Sequence, residues 1–439
     1  MKKKSLYDAL VDYKNLDYSS FHTPGHKNNF FKNEDLFSLD YTELPLTDSL
    51  YEASGIIKNS EEKLSRIYGT KASFFSSGGN TLCIQSMIKM TCGFGGKILC
   101  DRLVHRSAVS TMAMLDLTPV WVKRNIKNNI AWDINIEDLK EKLKKNRDAK
   151  AFYITSPNYY GVIQDVSLIS SICSNYNIPL IVDNAHGSHL KFFGLHPIDK
   201  GASISADSAH KTLPVMTSGA FLHVNSQKYK NMAKTSMSLF GSTSPSYPIM
   251  ASMDICLKWI EKFGNQKYEL LSRRIENLKK SSLFEDAFLN GIDIDPIRIT
   301  INTKKIGYSG YEFRNELYKF KIEPEFCDEN YIVLIATPFN REKDWNRLES
   351  AIKNIEIKRK FFNFEKSETK IPKSQMKISK ALSLNSKEID LEKCLGKIAA
   401  EIICPCPPGV PVVMPGEKIE EEEIASLKKY GISKLCVIE

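Results

Sequence analysis

The sequence contains no apolar run approaching the roughly 20 residues of a membrane-spanning helix. Its ten cysteines form no Cys-x-x-Cys pair, and most lie in apolar segments, which indicates buried free thiols in a reducing compartment. The one close pair, Cys404 and Cys406, has no further metal ligands beside it. The basic start, residues 1–5, precedes an amphipathic helical pattern instead of a signal-peptide core. We therefore expect a cytoplasmic protein with no membrane segment and no metal site.

The sequence also lacks internal repeats, low-complexity tracts and any patch that interleaves arginine with aromatic residues. Its net charge of +9 is spread along lysine-rich helical segments such as 137–150, so we expect no nucleic-acid partner. The 439 residues, 42% of them hydrophobic, are enough for more than one domain with a sizeable core.

The order of predicted elements indicates an α/β protein. Short apolar segments near Lys97, Pro119, Ala151 and Pro179 alternate with helical patterns, which predicts a large domain with a mostly parallel sheet. A β-α-β pattern over 298–337 predicts a smaller α+β domain. The predicted units are an N-terminal arm (1–35), the large domain (36–264), the small domain (265–357), a charged linker (358–377) and a C-terminal α/β domain (378–439).

The C-terminal unit is predicted to start with a helix that carries Ile389, Leu391 and Ile398. A proline-rich loop over 405–415, a second helix over 420–430 and a terminal strand over 434–438 are expected to follow.

Asp183 ends the apolar, β-branched run 178–182, which reads as a strand buried on both faces of a parallel sheet. Open α/β sheets bind ligands at the carboxyl ends of their strands. A carboxylate there can keep a pyridine nitrogen protonated, so that the ring withdraws electrons from an attached carbanion. The alternative is that Asp183 caps the next helix.

Lys211 follows in the run 208–212, at the distance beyond Asp183 that a lysine-bound pyridoxal phosphate site requires. A lysine becomes a carbonyl nucleophile when desolvation or a cationic neighbour favours its neutral amine. Lys211 alone would be a weak candidate among 61 lysines and arginines. Its pairing with Asp183 is what indicates a cofactor site.

Gly78, Gly79 and Asn80 lie between a predicted strand and a predicted helix. Glycines at a helix start present backbone N–H groups and the positive end of the helix dipole to an anion. The alternative is an ordinary tight turn. Together with Asp183 and Lys211, this segment predicts a phosphate cradle for pyridoxal 5'-phosphate.

The chain resembles the ornithine/lysine/arginine decarboxylase family of fold type I pyridoxal phosphate enzymes along nearly its whole length. The matching motifs are Pro-Gly-His-Lys (24–27), Thr-Glu-Leu-Pro (42–45), Asp-Asn-Ala-His-Gly (183–187), Ser-Ala-His-Lys (208–211), Thr-Ser-Pro-Ser (243–246), Glu-Phe-Cys-Asp (325–328) and Pro-Pro-Gly (407–409). The resemblance implies an aspartate aminotransferase-like large domain with a small domain and a C-terminal domain.

The resemblance also implies roles for four residues around the cofactor. His105 would stack on the cofactor ring, its alternative being a helix cap. His186 would hydrogen-bond either Asp183 or the ring oxygen. Ser208 would contact the phosphate, and His210 would shield the Schiff base. Either His210 or Lys211 would supply the proton that replaces carbon dioxide.

The family's active site lies between two subunits, so the resemblance implies a homodimer in which Thr243 and Ser244 reach the partner's phosphate. Candidate carboxylates for a basic substrate side chain are Glu43, Asp48 and Glu325. Two departures from the family pattern, Cys406 in place of tyrosine and the run 77–80, leave the substrate's identity open.

These features predict decarboxylation of a basic amino acid, first arginine to agmatine for polyamine synthesis, then lysine or ornithine. An aminotransferase or lyase is a second hypothesis, and it would need an arginine clamp for the substrate α-carboxylate. No arginine follows Arg359, and Arg298 lies in a strand-like stretch without the expected motif. A catalytically silent regulator is a third hypothesis, which the intact Asp183, His186 and Lys211 disfavour.

Overall fold

The computed structural model describes residues 15–27, 39–358, 371–404 and 411–439. The strands are β1 Ser19–Phe21, β2 Ala72–Ser76, β3 Lys97–Asp101, β4 Thr118–Val122, β5 Arg124–Lys127, β6 Ile130–Ile134, β7 Phe152–Thr155, β8 Leu180–Asp183, β9 Ile204–Asp207, β10 Ala220–Val224, β11 Arg298–Asn302, β12 Ile322–Pro324, β13 Phe326–Cys327, β14 Tyr331–Ile335, β15 Ser386–Asp390 and β16 Lys434–Ile438.

The helices cover the sheets and connect their strands. They are α1 Ile56–Tyr68, α2 Gly79–Cys92, α3 Arg106–Met114, α4 Ile136–Lys145, α5 Val166–Ser174, α6 Ala209–Thr212, α7 Gln227–Lys230, α8 Ala233–Phe240, α9 Tyr247–Lys280, α10 Gly310–Lys319, α11 Glu342–Asn354, α12 Ile378–Ser383 and α13 Glu421–Lys429. Short 3-10 helices lie at Ser188–Phe193, Pro197–Lys200, Glu285–Ala287, Thr303–Ile306 and Leu391–Lys393.

The central sheet has seven strands in the order β2-β10-β9-β8-β7-β3-β4. Only β10 runs against its neighbours, and the remaining pairs are parallel, so the predicted parallel-rich α/β sheet is confirmed. Because β2 and β9 both run against β10, the carboxyl ends of β2, β8 and β9 meet at one edge of the sheet. The fold thereby brings Ser76, Asp183 and Asp207 to the same edge.

A smaller three-stranded antiparallel sheet has the order β11-β14-β13. Next to it, β1 from the N-terminal arm pairs in parallel with β12, so the arm is tied to this part of the molecule. Helix α9 is 34 residues long and passes through the predicted domain boundary at 264/265 without a break.

The predicted helix through Ile389, Leu391 and Ile398 is wrong. The structure has strand β15, a 3-10 turn over Leu391–Lys393 and an isolated bridge at Ile398. The reason is pairing with the chain's last strand, since β15 and β16 are antiparallel over five residue pairs. The preceding helix, α12, ends at Ser383.

Several predicted features lie outside the described residues: the helical pattern near the N-terminus, Arg359, Cys406 and the Pro-Pro-Gly motif. No described helix has both the length and the apolar character to cross a membrane. The cysteines of the described ranges are free thiols, and six of them are buried.

Candidate active site

Asp183 is 2% exposed at the end of β8, and its carboxylate accepts three hydrogen bonds. Oδ1 accepts from Asn80 Nδ2 (2.9 Å) and the backbone N–H of Ala185 (3.1 Å), and Oδ2 accepts from the hydroxyl of Tyr153 (2.9 Å). Burial raises the pKa of Asp183 to about 6, although the Tyr153 hydroxyl and the charge of Lys211 act in the opposite direction. The carboxylate is thus held firmly in a site that penalises its charge.

The predicted phosphate cradle lies at the start of α2. No side chain caps its first turn, and Gly79, with a φ of 71°, donates its backbone N–H to Ser218 O. Asn80 is turned toward Asp183, which differs from its predicted role as a direct phosphate contact. Its buried Oδ1 has no hydrogen-bond partner among the described residues.

Lys211 lies in the short helix α6 and meets His186. Lys211 Nζ and His186 Nε2 are 3.0 Å apart. His186 is 5% exposed, and burial, together with the charges of Lys211 and Arg298, lowers its pKa well below the ordinary value. The sequence leaves open whether His186 hydrogen-bonds Asp183 or the ring oxygen of the cofactor. In the structure, His186 Nε2 contacts Lys211 and not Asp183.

His105 and His210 lie near Lys211 with neutral rings. His105 caps α3 by accepting the N–H of Ser107 at Nδ1 (3.2 Å). Burial lowers the pKa of His105 to about 4, with the charge of Lys211 adding to the effect. His210 places Nδ1 3.1 Å from Gly219 O, and burial lowers its pKa to about 4 as well.

Sequence reasoning missed two residues that pack around His186. The Arg298 guanidinium is fully buried, with Nη1 3.5 Å from His186 Nδ1 and Nη2 3.2 Å from Asp295 Oδ2. The ring of Tyr159 meets His186 edge-on at a centroid distance of 4.8 Å. The sequence contains both residues, but no local pattern indicates that strand β11 begins beside His186.

Glu325, a predicted substrate carboxylate, lies on the far side of Tyr159. Its Oε1 accepts the Tyr159 hydroxyl (3.0 Å), and its Oε2 accepts the backbone N–H of Thr23 (2.7 Å). The side chain is half-buried. It is the one predicted substrate carboxylate that the described contacts connect to the surroundings of Lys211.

Glu43 and Asp48 lie elsewhere. Glu43 is exposed. The Asp48 carboxylate accepts backbone N–H groups of Ser49, Ser54, Gly55 and Ile57, so the loop itself occupies its oxygens. Partial burial opposes ionisation, but these donors prevail and lower the pKa of Asp48.

Thr243 and Ser244 are exposed in the loop between α8 and α9, where Ser244 N donates to Ser242 Oγ (3.1 Å). Ser208 is buried directly before α6 and its side chain makes no capping bond.

The N-terminal segment 22–27 packs against α6. Gly25 donates its N–H to His210 O (2.7 Å) and comes so close to the helix that a Cβ would lie 2.7 Å from Leu213 O. Lys27 is 5% exposed and donates to the carbonyls of His22 and Ile335. Burial lowers its pKa to about 7. The arm therefore joins the helix of Lys211 to the small sheet.

A second buried cluster lies directly before Ser208. Asp207 contacts His196 Nε2 (2.9 Å) and Ser205 Oγ (2.7 Å), and His223 Nε2 lies 3.7 Å away. His196 Nδ1 accepts the N–H of Ile198, so its proton is at Nε2 and points to Asp207. This geometry suits a hydrogen-bonded support for β9 better than a metal site.

The described residues fit a phosphorylated pyridine. An uncapped helix start, a buried carboxylate at a strand end and a lysine in electrostatic contact with that carboxylate all meet at one sheet edge. Asp183 would hold the ring nitrogen, Lys211 the aldehyde carbon, and the start of α2 with Ser208 the phosphate.

Two family models match the chain: "Orn/Lys/Arg decarboxylase, major domain" over residues 4–283 and "Orn/Lys/Arg decarboxylase, C-terminal domain" over residues 357–430. Among curated relatives, the chain is 33% identical to "Uncharacterized protein YaaO" of Bacillus subtilis over 97% of this chain and 93% of that protein. It is 29% identical to the "Arginine decarboxylase" of the same organism over the same shares.

The structure superposes on the constitutive lysine decarboxylase of Escherichia coli with a TM-score of 0.76. The match covers 99% of this chain and 81% of that chain at 17% identity, which supports the fold.

Proposed function

This chain belongs to the Orn/Lys/Arg decarboxylase family, and from that premise we propose that it decarboxylates arginine to agmatine, in polyamine synthesis. Membership makes it a pyridoxal phosphate-dependent amino-acid decarboxylase that acts on a basic amino acid. The preference for arginine is supported by the names of several relatives, arginine decarboxylases at 27–29% identity, against 23% for a lysine decarboxylase.

When bound, pyridoxal phosphate supplies an electron-withdrawing ring that accepts the electrons left on Cα as carbon dioxide departs. We assign Asp183 to hold the proton on the ring nitrogen, because its buried carboxylate gains most from a cationic partner. We assign Lys211 to bind the cofactor's aldehyde carbon and His105 to cover one ring face. Ser208, Gly78 and Gly79 are assigned to the phosphate, and Asn80 to the orientation of Asp183.

Lys211 is the better candidate for returning a proton to Cα. His210 Nδ1 faces a carbonyl oxygen, so its proton is at Nδ1, and a pKa of about 4 leaves Nε2 without a proton at neutral pH. His210 is therefore assigned to shield the site. The amine of Lys211 can carry the proton instead.

The observation that carries the assignment of a basic substrate is Glu325. Its carboxylate connects through the Tyr159 hydroxyl to the ring that packs on His186, and His186 contacts Lys211. A carboxylate in that position can pair with the distal cation of arginine or lysine. Glu43 stays a candidate supplied by a partner subunit, whereas the backbone donors around Asp48 make it the weakest of the three.

The first experiment is to measure carbon dioxide and amine release from the purified protein with pyridoxal phosphate, with arginine, lysine and ornithine offered separately. Release of agmatine at the highest kcat/KM supports the proposal. Faster release from lysine or ornithine overturns the arginine preference and leaves the reaction class intact. A keto acid product without carbon dioxide would point to an aminotransferase instead.

Glu325→Gln tests the substrate assignment. Removal of the charge should raise KM for the basic substrate about 10- to 100-fold, since a charge-assisted hydrogen bond contributes about 1.5–3 kcal/mol. Glu323→Gln is the matched control, because Glu323 lies two residues before Glu325 and likewise accepts a tyrosine hydroxyl, that of Tyr318. Equal KM values in both variants would remove Glu325 from the substrate site.

We also propose a homodimer in the cytoplasm. The loop with Thr243 and Ser244 follows the exposed Leu239 (57%), and the neighbouring segment exposes Leu44 (49%) and Leu46 (88%). The two segments touch, since the Tyr247 hydroxyl donates to Asp48 O. Exposed apolar groups beside a predicted partner loop support this face as the interface. Light scattering on the wild type and on Leu46→Asp should show a dimer that the substitution weakens.

A further inference from the structure

A line of buried polar contacts leads away from Lys211. Lys211 Nζ lies 3.0 Å from His186 Nε2, and His186 Nδ1 lies 3.5 Å from Arg298 Nη1. Arg298 Nη2 reaches Asp295 Oδ2 at 3.2 Å, and Asp295 Oδ1 reaches His189 Nε2 at 2.7 Å. The line crosses from the central sheet to the small sheet, because Arg298 starts β11.

The proton positions along this line follow from the chemistry of arginine. A guanidinium carries only donors and stays charged in proteins, so His186 Nδ1 must accept from Arg298. A neutral imidazole with an accepting Nδ1 carries its proton on Nε2. The His186 ring is neutral, because burial and the charge of Arg298 disfavour the imidazolium.

The N–H at His186 Nε2 faces the nitrogen of Lys211. An ammonium group is also a donor only, and two donors cannot share a hydrogen bond. The contact is therefore made when Lys211 offers a lone pair, as a neutral amine.

We infer that Arg298 is a positioning residue that fixes the Nε2–H tautomer of His186 and so holds Lys211 as a neutral, nucleophilic amine. The inference rests on the proposed role of Lys211 as the lysine that binds the cofactor. Arg298 acts through His186 and does not contact the reacting nitrogen in this arrangement.

The surroundings leave Arg298 little freedom. Its Nη1 also donates to Tyr159 O (3.4 Å). Gly161, at a φ of 93°, lies against its side chain, and a Cβ there would come within 2.7 Å of Arg298 Cγ. Asp295 is fully buried, and although burial opposes ionisation, His189 and Arg298 lower its pKa. The guanidinium is therefore paired and sterically confined, which the tautomer argument requires.

The test is competitive labelling of the full-length protein after removal of its cofactor with hydroxylamine. Trace acetic anhydride modifies neutral amines, and peptide mass spectrometry gives the rate for each lysine against pH. Within the described part of the chain, the charged or titratable groups near Lys211 and His186 include Asp183, His105, His189, His210 and Arg298. In the wild type we expect Lys211 to label with a midpoint at least one pH unit below that of the exposed Lys387.

Arg298→Gln should move the Lys211 midpoint upward by one unit or more, a tenfold slower labelling near neutral pH. Arg274→Gln is the control. It removes an arginine of α9 that pairs with Glu342 of α11, and it should leave the Lys211 midpoint unchanged. An unchanged midpoint in folded Arg298→Gln overturns the inference.

A second measurement needs only the wild-type chain. Ring ¹⁵N NMR of histidine-labelled protein, with the His186 signals assigned from their loss in His186→Phe, should show a protonated Nε2 and an unprotonated Nδ1. The reverse pattern overturns the inference. Neither readout uses turnover, and borohydride trapping of the cofactor on a lysine other than Lys211 would separately refute the proposed role of Lys211.

Discussion

At the scale of single residues, the site holds ionisable side chains in buried positions. Asp183 illustrates this: its carboxylate is buried, hydrogen-bonded by Asn80 and Tyr153, and less acidic than in water. A site that penalises one charge gains correspondingly when the opposite charge binds. The buried Asp183 carboxylate therefore stabilises a protonated, cationic ring nitrogen when the cofactor is bound.

Asp183→Asn should stabilise the cofactor-free protein at neutral pH. The carboxyl titrates near 3.8 in the unfolded chain and near 6 in the fold, so the native state binds its proton more tightly. Its ionisation therefore costs nothing well below pH 4 and about 3 kcal/mol above about pH 7. Chemical denaturation should give the variant about 1–3 kcal/mol more stability at pH 7.5, and the difference should shrink toward pH 5. A constant difference across this range would contradict the assigned cause.

Lys211→Ala should remove turnover and the visible absorption band of the lysine-bound cofactor together, since no other amine then occupies that position. Absorption spectra and carbon dioxide release measure the two effects. A variant with full turnover would refute Lys211 as the cofactor lysine.

At the scale of elements, the N-terminal segment 22–27 and helix α6 form one packed unit. Gly25 is bonded to His210 O, and Thr337 Oγ1 donates to Gly25 O. Gly25 is therefore bonded on one side to the helix that carries Lys211 and on the other side to Thr337.

Gly25→Ala should disturb that unit. A Cβ would lie 2.7 Å from Leu213 O and 2.8 Å from Thr212 C, so backbone must move, at a cost of about 1–3 kcal/mol. We expect a lower melting temperature and faster loss of the visible cofactor band on dilution. Gly431→Ala is the control: a Cβ there meets nothing within 4 Å, and the φ of 72° alone costs about 1 kcal/mol. Equal cofactor loss in both variants would argue against a role for the arm.

At the scale of the whole molecule, the C-terminal unit docks on the large domain through a partly buried ion pair. Arg102 Nη1 and Nη2 donate to Glu417 Oε1 and Oε2 at 2.7 and 2.8 Å, and its guanidinium lies 5.0 Å from the ring centroid of Trp121. Glu417 Oε2 also accepts the N–H of Met414. Since Arg102 closely precedes His105, this contact connects the C-terminal unit to the site.

Arg102→Met should loosen the C-terminal unit, because it leaves the Glu417 carboxylate buried without its partner, at about 3–5 kcal/mol. Hydrogen exchange should accelerate over 411–419 while β7 and β8 stay protected. Asp116→Asn removes an exposed pair with Lys377 between the same parts of the chain and should change little. Unchanged exchange in Arg102→Met would show that the ion pair does not hold the unit.

The sequence by itself determined the parallel-rich sheet, the strand that ends at Asp183, the helix that starts at Gly79, and the family. These depend on local patterns: an apolar run marks a buried strand, and its end marks the ligand edge. The physical reason is that the spacing of apolar residues along the chain indicates which face of a strand or helix is buried.

Tertiary structure alone decided which distant residues complete the site and where a helical pattern in the sequence forms a strand instead. Arg298 and His186 are separated by 112 positions, and Glu325 and Thr23 by 302, so no periodicity could pair them. Ile389 lies in a strand because β16 pairs with it, which overrides a pattern equally compatible with a helix. Contacts between distant elements determine which side chains pair, which atoms carry protons and which strands lie side by side. These contacts form only when the chain folds.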